Sequence, residues 1–482
     1  MMKSLLISLF LLMWALPAFA VDYYISSSTG DDDNDGLTEQ TAWQNLDQIY
    51  LTFYYNPLGP GDRLLLKRGD VWDGSVWQLR AEGNASDPAI MGAYGSGDNP
   101  IITSDGSLLQ WSPMPCVTDV YRAYLGQRSI IKKVTEDGTT LSRVGGTNDP
   151  DITVILDQLT PGSFAASYGH DFIYMMATDQ QSPATHETLV LRTGVEVRAN
   201  HIIIEDIDFV GTWHAIVMRD STGLVVRNVN VRGTESNAIY AIANVSDSTV
   251  ENVEVRNSKG PGLYALNSSD IIFRNSRLFD ITGESSIGLQ TSTNIVVEGN
   301  EVWRGKSGVD YYFDEGSIVR NNWLYGVGIC ATPHGTDMQF YGNVCNLDGQ
   351  PSAYGNRRYG ISAANLGSSV LDIYDNIFFG AETYGLYAGE TVIGAPVPGP
   401  ITYRNNIVVM LDGGRAVNVW GHVTLDDNIY FSEGAMIWKW EGVDHSTFSN
   451  YQADSGEDQN SVVADPGFIS LFPLIREDFY VE

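Results

Sequence analysis

Acids, bases and aromatic side chains crowd into one stretch of this 482-residue chain, Arg304-Gly-Lys306-Ser-Gly-Val-Asp310-Tyr-Tyr312-Phe-Asp314-Glu315. Glu284 precedes it, and His334 of Pro333-His-Gly-Thr-Asp337 follows it. Two reactions suit such a set. In β-elimination a cation neutralises a uronate carboxylate, the C5 proton becomes acidic, and Lys306, His334 or Tyr312 removes it. Glu284 and Asp310 would then hold a Ca²⁺ through carboxylate oxygens. In glycoside hydrolysis two carboxylates, Asp310 with Glu284 or Asp314, act as acid and as base or nucleophile, and their separation decides the stereochemistry. The Lys and Arg that accompany the acids tilt the reading towards the lyase. Mixed charges on solvated turns give the same composition without any reaction.

These residues are positioned by a repeat. Short apolar runs each end on Asn: Ile295-Val-Val-Glu-Gly-Asn300, Ile318-Val-Arg-Asn-Asn322, Met338-Gln-Phe-Tyr-Gly-Asn343, Leu371-Asp-Ile-Tyr-Asp-Asn376, Ile401-Thr-Tyr-Arg-Asn-Asn406 and Val423-Thr-Leu-Asp-Asp-Asn428. The register extends back through Ser276 and Val253 to Val229, and its spacings are 24, 23, 24, 22, 21, 33, 30 and 22 residues. Such a period marks stacked repeats. The unit is β-branched, alternates apolar positions and is broken by Gly, Asn, Asp and Ser, so it reads as strand, turn, strand without room for a helix. A parallel β-helix follows. Coils stacked at about 4.8 Å bury an inner face that one coil cannot bury alone. The Asn is expected to occupy a left-handed turn and to bond from coil to coil through its amide.

Alternation places Ile216, Ile239, Leu263, Ile287, Val309, Ile361, Leu386 and Val417 inside. The outward row is then Val217, Tyr240, Tyr264, Gly288, Asp310, Ser362, Tyr387 and Asn418, with Gln290, Tyr312 and Trp420 two positions on. Asp310 is expected to be the exposed carboxylate of that row. Tyr240, Tyr264, Gln290, Tyr387 and Trp420 would offer a surface for sugar rings, joined by Lys259 and Arg357 from the bordering turns. A noncatalytic glycan-binding surface protein would need only these aromatics. His214, at one end of the row, reads as a satisfied surface histidine.

The mature start runs Tyr23-Tyr-Ile-Ser-Ser-Ser-Thr-Gly30 into an acidic loop and a short helix near Ala42 to Ile49, then Gly61-Asp-Arg-Leu-Leu-Leu-Lys-Arg-Gly69 and Ile90-Met-Gly-Ala-Tyr94. Together with the Asn series these phrases resemble the secreted right-handed parallel β-helix proteins of the pectate-lyase-like superfamily. The resemblance implies that fold and a polysaccharide substrate. It does not select a reaction, because the superfamily holds lyases, hydrolases, epimerases and adhesins. The expected layout is a signal peptide over residues 1–20, a cap and first coils over 21–110, a small β insertion over 111–195, the β-helix over 196–440 and a tail over 441–482. Loop insertions fall at Asp348 to Arg358 and Gly389 to Pro400.

The first twenty residues, with Lys3, an apolar stretch and Pro17-Ala-Phe-Ala20, predict export of a protein without a membrane span. Removing them leaves 27 basic against 59 acidic residues, which argues against nucleic-acid partners. A monomer is expected. Of three cysteines, Cys330 and Cys345 should face inward, as buried thiols or as a disulfide, and Cys116 stands apart. Asp31-Asp-Asp33-Asn-Asp35-Gly36 begins like a calcium-binding EF-hand loop, but Ala42 stands where the twelfth-position Glu belongs, so a looser Ca²⁺ site or a plain acidic turn remain.

Overall fold

The computed structural model describes residues 20–115, 117–126, 130–145, 155–167, 171–347, 358–365, 367, 369–388, 399–411 and 414–468. Residues 1–19, Cys116, Arg357, most of both expected loop insertions and the residues after 468 lie outside the described residues.

Among the described residues, three sheets of 13 strands run along the molecule, and successive coils give one strand to each. Ile216–Thr222 belongs to the first sheet, Val225–Arg227 to the second and Asn230–Arg232 to the third, after which Ile239–Ser246 opens the next coil beside Ile216–Thr222. The pairing is parallel and in register, so Ile216, Ile239, Leu263, Ile287 and Val309 stack as one buried column. This is the parallel β-helix that the spacing predicts. Only Val443–His445 turns back antiparallel, on Ile437–Trp440, within these sheets. No helix among the described residues is long and apolar enough to cross a membrane.

The Asn series behaves differently from expectation in one respect. The left-handed residue is the one before each Asn: Gly299, Asn321, Gly342, Asp375, Asn405 and Asp427 have φ between 54° and 64°. The turn therefore demands Gly, Asn or Asp one position earlier, and the following Asn points into the core. Asn300, Asn322, Asn343, Asn376, Asn406 and Asn428 are all buried. The backbone N–H and the Nδ2 of Asn322 both donate to Asn343 Oδ1, at 3.0 Å each, and Asn343 repeats this towards Asn376. Each amide also donates to backbone carbonyls, as Asn322 does to Val297 and Arg320.

Both ends are covered. Helix Asp47–Phe53, a few residues later than expected, buries Ile49 and Phe53 at one end. At the other, helix Phe448–Ser455 starts on a Thr447 cap and stops at left-handed Gly456, signals that the fading repeat pattern concealed. Beneath it the buried Asp458 accepts from Asn428, Tyr430, Tyr451 and Ser461, and so finishes the amide series.

Between Ile101–Thr103 and Val195–Asn200 two small sheets form the insertion, with Lys133–Glu136 antiparallel to Thr139–Thr140 and Phe172–Met176 antiparallel to Ser163–Ala166. Arg192, fully buried, ties it to the helix by an ion pair with Asp73 and a bond to the Leu125 carbonyl at 3.3 Å. Cys330 and Cys345 face inward as expected and are joined as a disulfide, with Cα atoms 5.8 Å apart.

Replacing Asn343 by Ala strips partners from two buried amides at once, so urea unfolding should show a loss of about 3 kcal/mol. Asn321→Gly, at the left-handed corner one coil earlier, where the equivalent position before Asn343 is already Gly342, should cost less than about 1 kcal/mol.

Candidate active site

The outward face of the first sheet carries the row that alternation predicts. Val217, Tyr240, Tyr264, Gly288 and Asp310 are consecutive partners across the strands. The next residue is Thr332, because Ile329–Thr336 is a full strand of this sheet, with Pro333 inside it. The expected outward row runs from Asp310 directly to Ser362 and omits this strand, since Pro seldom sits in a central strand. Gln290, Tyr312 and His334 are likewise successive partners in the second outward row.

A cavity of about 650 Å³ opens over this face. Lys259, Glu284 and Lys306 reach it from the long turns, and Tyr264, Gly288, Gln290, Asp310 and Tyr312 from the strands. Seven residues singled out from the sequence thus meet at one place. Gly288 has a steric reason: a Cβ there would stand 2.5 Å from the Tyr264 ring. Without it the ring lies across the neighbouring coil, and its hydroxyl donates to the side-chain Oε1 of Gln290.

Asp310 is not exposed as expected but 7% accessible, because the turn and the next coil close around it. Ser307 Oγ and Thr332 Oγ1 donate to its Oδ1 at 2.5 and 2.6 Å. Burial, helped by the nearby charge of Glu284, raises its pKa to about 6 against those two bonds. Glu284 itself is exposed. Asp314 is buried from the cavity, its oxygens without a well-formed hydrogen bond, and burial lifts it to about 7, with Ser317 and the Ser292 backbone opposing.

The remaining candidates divide. His334 packs edge-to-face on Tyr312 at 5.4 Å and is 2% accessible, and burial pushes it down to about 4, so it is neutral at pH 7 and sits behind the cavity wall. Lys306 is exposed and makes no ion pair among the described residues, whereas Lys259 pairs with Glu235. Glu235 also receives Lys133 from the insertion at 2.7 Å. Arg304 faces away and pairs with Asp280. Arg358 pairs with Glu382 at 3.2 Å.

Tyr240 and Tyr264 stack on each other at 5.2 Å, with His214 against Tyr240, so much of the expected sugar platform covers itself. His214 is half-buried and satisfied by the Asn237 carbonyl at 2.8 Å. Tyr387 and Trp420 form a second aromatic group farther along the sheet, where Lys439 lies 5.0 Å over the Trp420 ring. A cation between Glu284 and Asp310 would draw up to four oxygens from the two carboxylates and take the rest of the six to eight that Ca²⁺ needs from water or substrate. In the acidic loop, Asp32 and Asp35 accept from Gln44, Asn45, Leu37 and Thr41, which are the bonds of an ordinary turn.

The Asp310 environment has signs that can be read. Thr332→Val removes a donor that favours the ionised form and should move the titration above 6. Glu284→Gln removes a like charge and should move it below. Carboxyl-carbon NMR of labelled aspartate measures both.

An 87-residue stretch, 17% of this chain, is 37% identical to lacto-N-biosidase of Bifidobacterium longum, and a 164-residue stretch, 31% of the chain, is 29% identical to protein YwoF of Bacillus subtilis. These matches span 5% and 34% of the relatives' lengths. Among solved structures, the complex of XylC with xylose aligns over 93% of this chain and 87% of that one, at 11% identity and a TM-score of 0.52. Residues 193–345 match the family model described as the right handed beta helix region. With three parallel sheets wound coil on coil, this chain is a right-handed parallel β-helix protein.

Proposed function

We propose that the protein is a glycoside hydrolase whose acid is Asp310 and whose second carboxylate is Glu284. The observation that carries this reading is the pairing itself: a buried carboxyl with its pKa raised to about 6, beside an exposed carboxylate whose charge helps hold the proton, on one cavity wall. Two carboxylates set apart by their surroundings are what acid catalysis at a glycosidic bond requires. The partial likeness to lacto-N-biosidase and the fold shared with XylC support a carbohydrate substrate.

Ser307 and Thr332 hold one oxygen of Asp310, which orients the other for proton donation to the glycosidic oxygen. As the C–O bond breaks, Glu284 stabilises the cationic sugar and acts as base or nucleophile, and a water supplies the hydroxyl that ends on the anomeric carbon and returns the proton to Asp310. Tyr264, held by Gln290, and Tyr312 border the sugar. No step requires a metal.

β-Elimination keeps one specific support: the ammonium of Lys306, unpaired among the described residues, lines the same cavity and suits a uronate carboxylate. Purified protein incubated with neutral oligosaccharides and with polyuronates separates the readings. New reducing ends without ultraviolet absorbance from an unsaturated sugar support hydrolysis, and that absorbance would replace it with the lyase. Asp310→Asn and Glu284→Gln should each lower kcat by roughly 10²- to 10⁴-fold. The rate should fall as pH rises through about 6, where Asp310 loses its proton, and EDTA should leave it unchanged. Activity intact in Asp310→Asn would reject the assignment.

A further inference from the structure

The insertion carries a second concentration of ligand-type side chains, well separated in role from the cavity. Glu136 ends the strand Lys133–Glu136, Asp179 follows the strand Phe172–Met176, and His186 follows the turn Pro183–Thr185. Their ligand atoms lie within 4.8 Å of one another. His186 Nε2 is 3.1 Å from Asp179 Oδ1 and 3.6 Å from Glu136 Oε1.

On its other side the ring is fixed. Nδ1 meets Asp137 Oδ2 at 2.9 Å, and Asp137 is held in turn by the Glu187 backbone N–H at 3.0 Å. With the proton on Nδ1 donated to Asp137, the Nε2 lone pair faces two carboxylates. That arrangement is repulsive unless something positive stands between them. A carboxylate that orients the far nitrogen is the usual outer partner of a metal-bound imidazole. Bonds of about 2.1 Å at tetrahedral angles put ligand atoms about 3.4 Å apart, which is the range of the two Nε2 distances.

We propose that Glu136, Asp179 and His186 bind a divalent transition metal of the Zn²⁺ type, oriented by Asp137. One imidazole and two carboxylates are hard enough to accept Zn²⁺ and carry no thiolate that would select a softer ion. Glu136 is buried, and the Thr178 N–H at 3.0 and 3.2 Å leaves lone pairs on both its oxygens. The Asp179 side chain is 49% exposed, giving the ion an entry and a water for its fourth position.

Such an ion would fasten three separate segments of the insertion. It would also stiffen the strand from which Lys133 reaches Glu235, and through it Lys259 at the cavity. The competing occupant of the space is a second proton on His186.

Calorimetric titration of the metal-stripped protein with Zn²⁺ at pH 7.5, with melting followed in parallel, decides between them. The expected result is one equivalent bound and a Tm that rises with Zn²⁺ concentration. His186→Ala and Asp179→Asn should abolish that equivalent, and Asp137→Asn should weaken it roughly 10- to 100-fold. Asp179→Asn changes a half-exposed side chain, so it tests the site even if His186→Ala folds poorly. Nitrogen NMR of His186 should show a metal shift at Nε2. No stoichiometric binding, binding unchanged in Asp179→Asn, or an imidazolium that persists in saturating Zn²⁺ would overturn the proposal.

Discussion

The constraint behind this structure is that no coil can satisfy its own backbone. Every strand bonds to the coils above and below, and at the corners, where strand pairing lapses, inward-pointing N–H and C=O groups would be stranded in an apolar core. From Ser276 to Asn428 a buried amide or hydroxyl fills that place and passes hydrogen bonds from coil to coil. Upstream, at Val229 and Val253, the same corner is apolar. The amide series therefore begins at the coils that carry Glu284 and Asp310. It holds the axial spacing where the cavity needs it.

The electrostatics of the cavity follow from that packing. Asp310 faces outward by alternation, yet its neighbours in the stack close over it, and desolvation rather than any single contact makes it a weak acid. The molecule is strongly acidic overall, but its cavity mixes signs. Lys306 and Lys259, the latter paired with Glu235, line the same cavity as the two carboxylates.

Much of this was legible beforehand, and the failures have physical causes. Period and alternation located the inner column and the outward row correctly from Ile216 to Asp310, because one-sided burial enforces both patterns. The strand Ile329–Thr336 was missing from the outward row because Pro333 is a poor strand signal, and with it went Thr332, one of the two residues that bond the Asp310 carboxyl. The left-handed corner was misplaced by one residue, since Asn is favoured both for positive φ and for buried amide bonding. Burial of Asp310 and His334 depends on what neighbouring coils place over them, which no single strand encodes. The self-stacking of Tyr240 and Tyr264 is of the same kind.

Stacking at a fixed rise has a further consequence for how such a site can change. Glu284 and Asp310 belong to successive coils, so their separation along the axis alters in steps of about 4.8 Å, one per coil inserted or deleted. Carboxyl separations of about 5 Å and of about 6.5 to 9.5 Å suit retention and inversion of anomeric configuration respectively. Under the proposed hydrolysis, duplication of a single coil between the two carboxylates would therefore move the site from one stereochemical regime towards the other without disturbing a side chain.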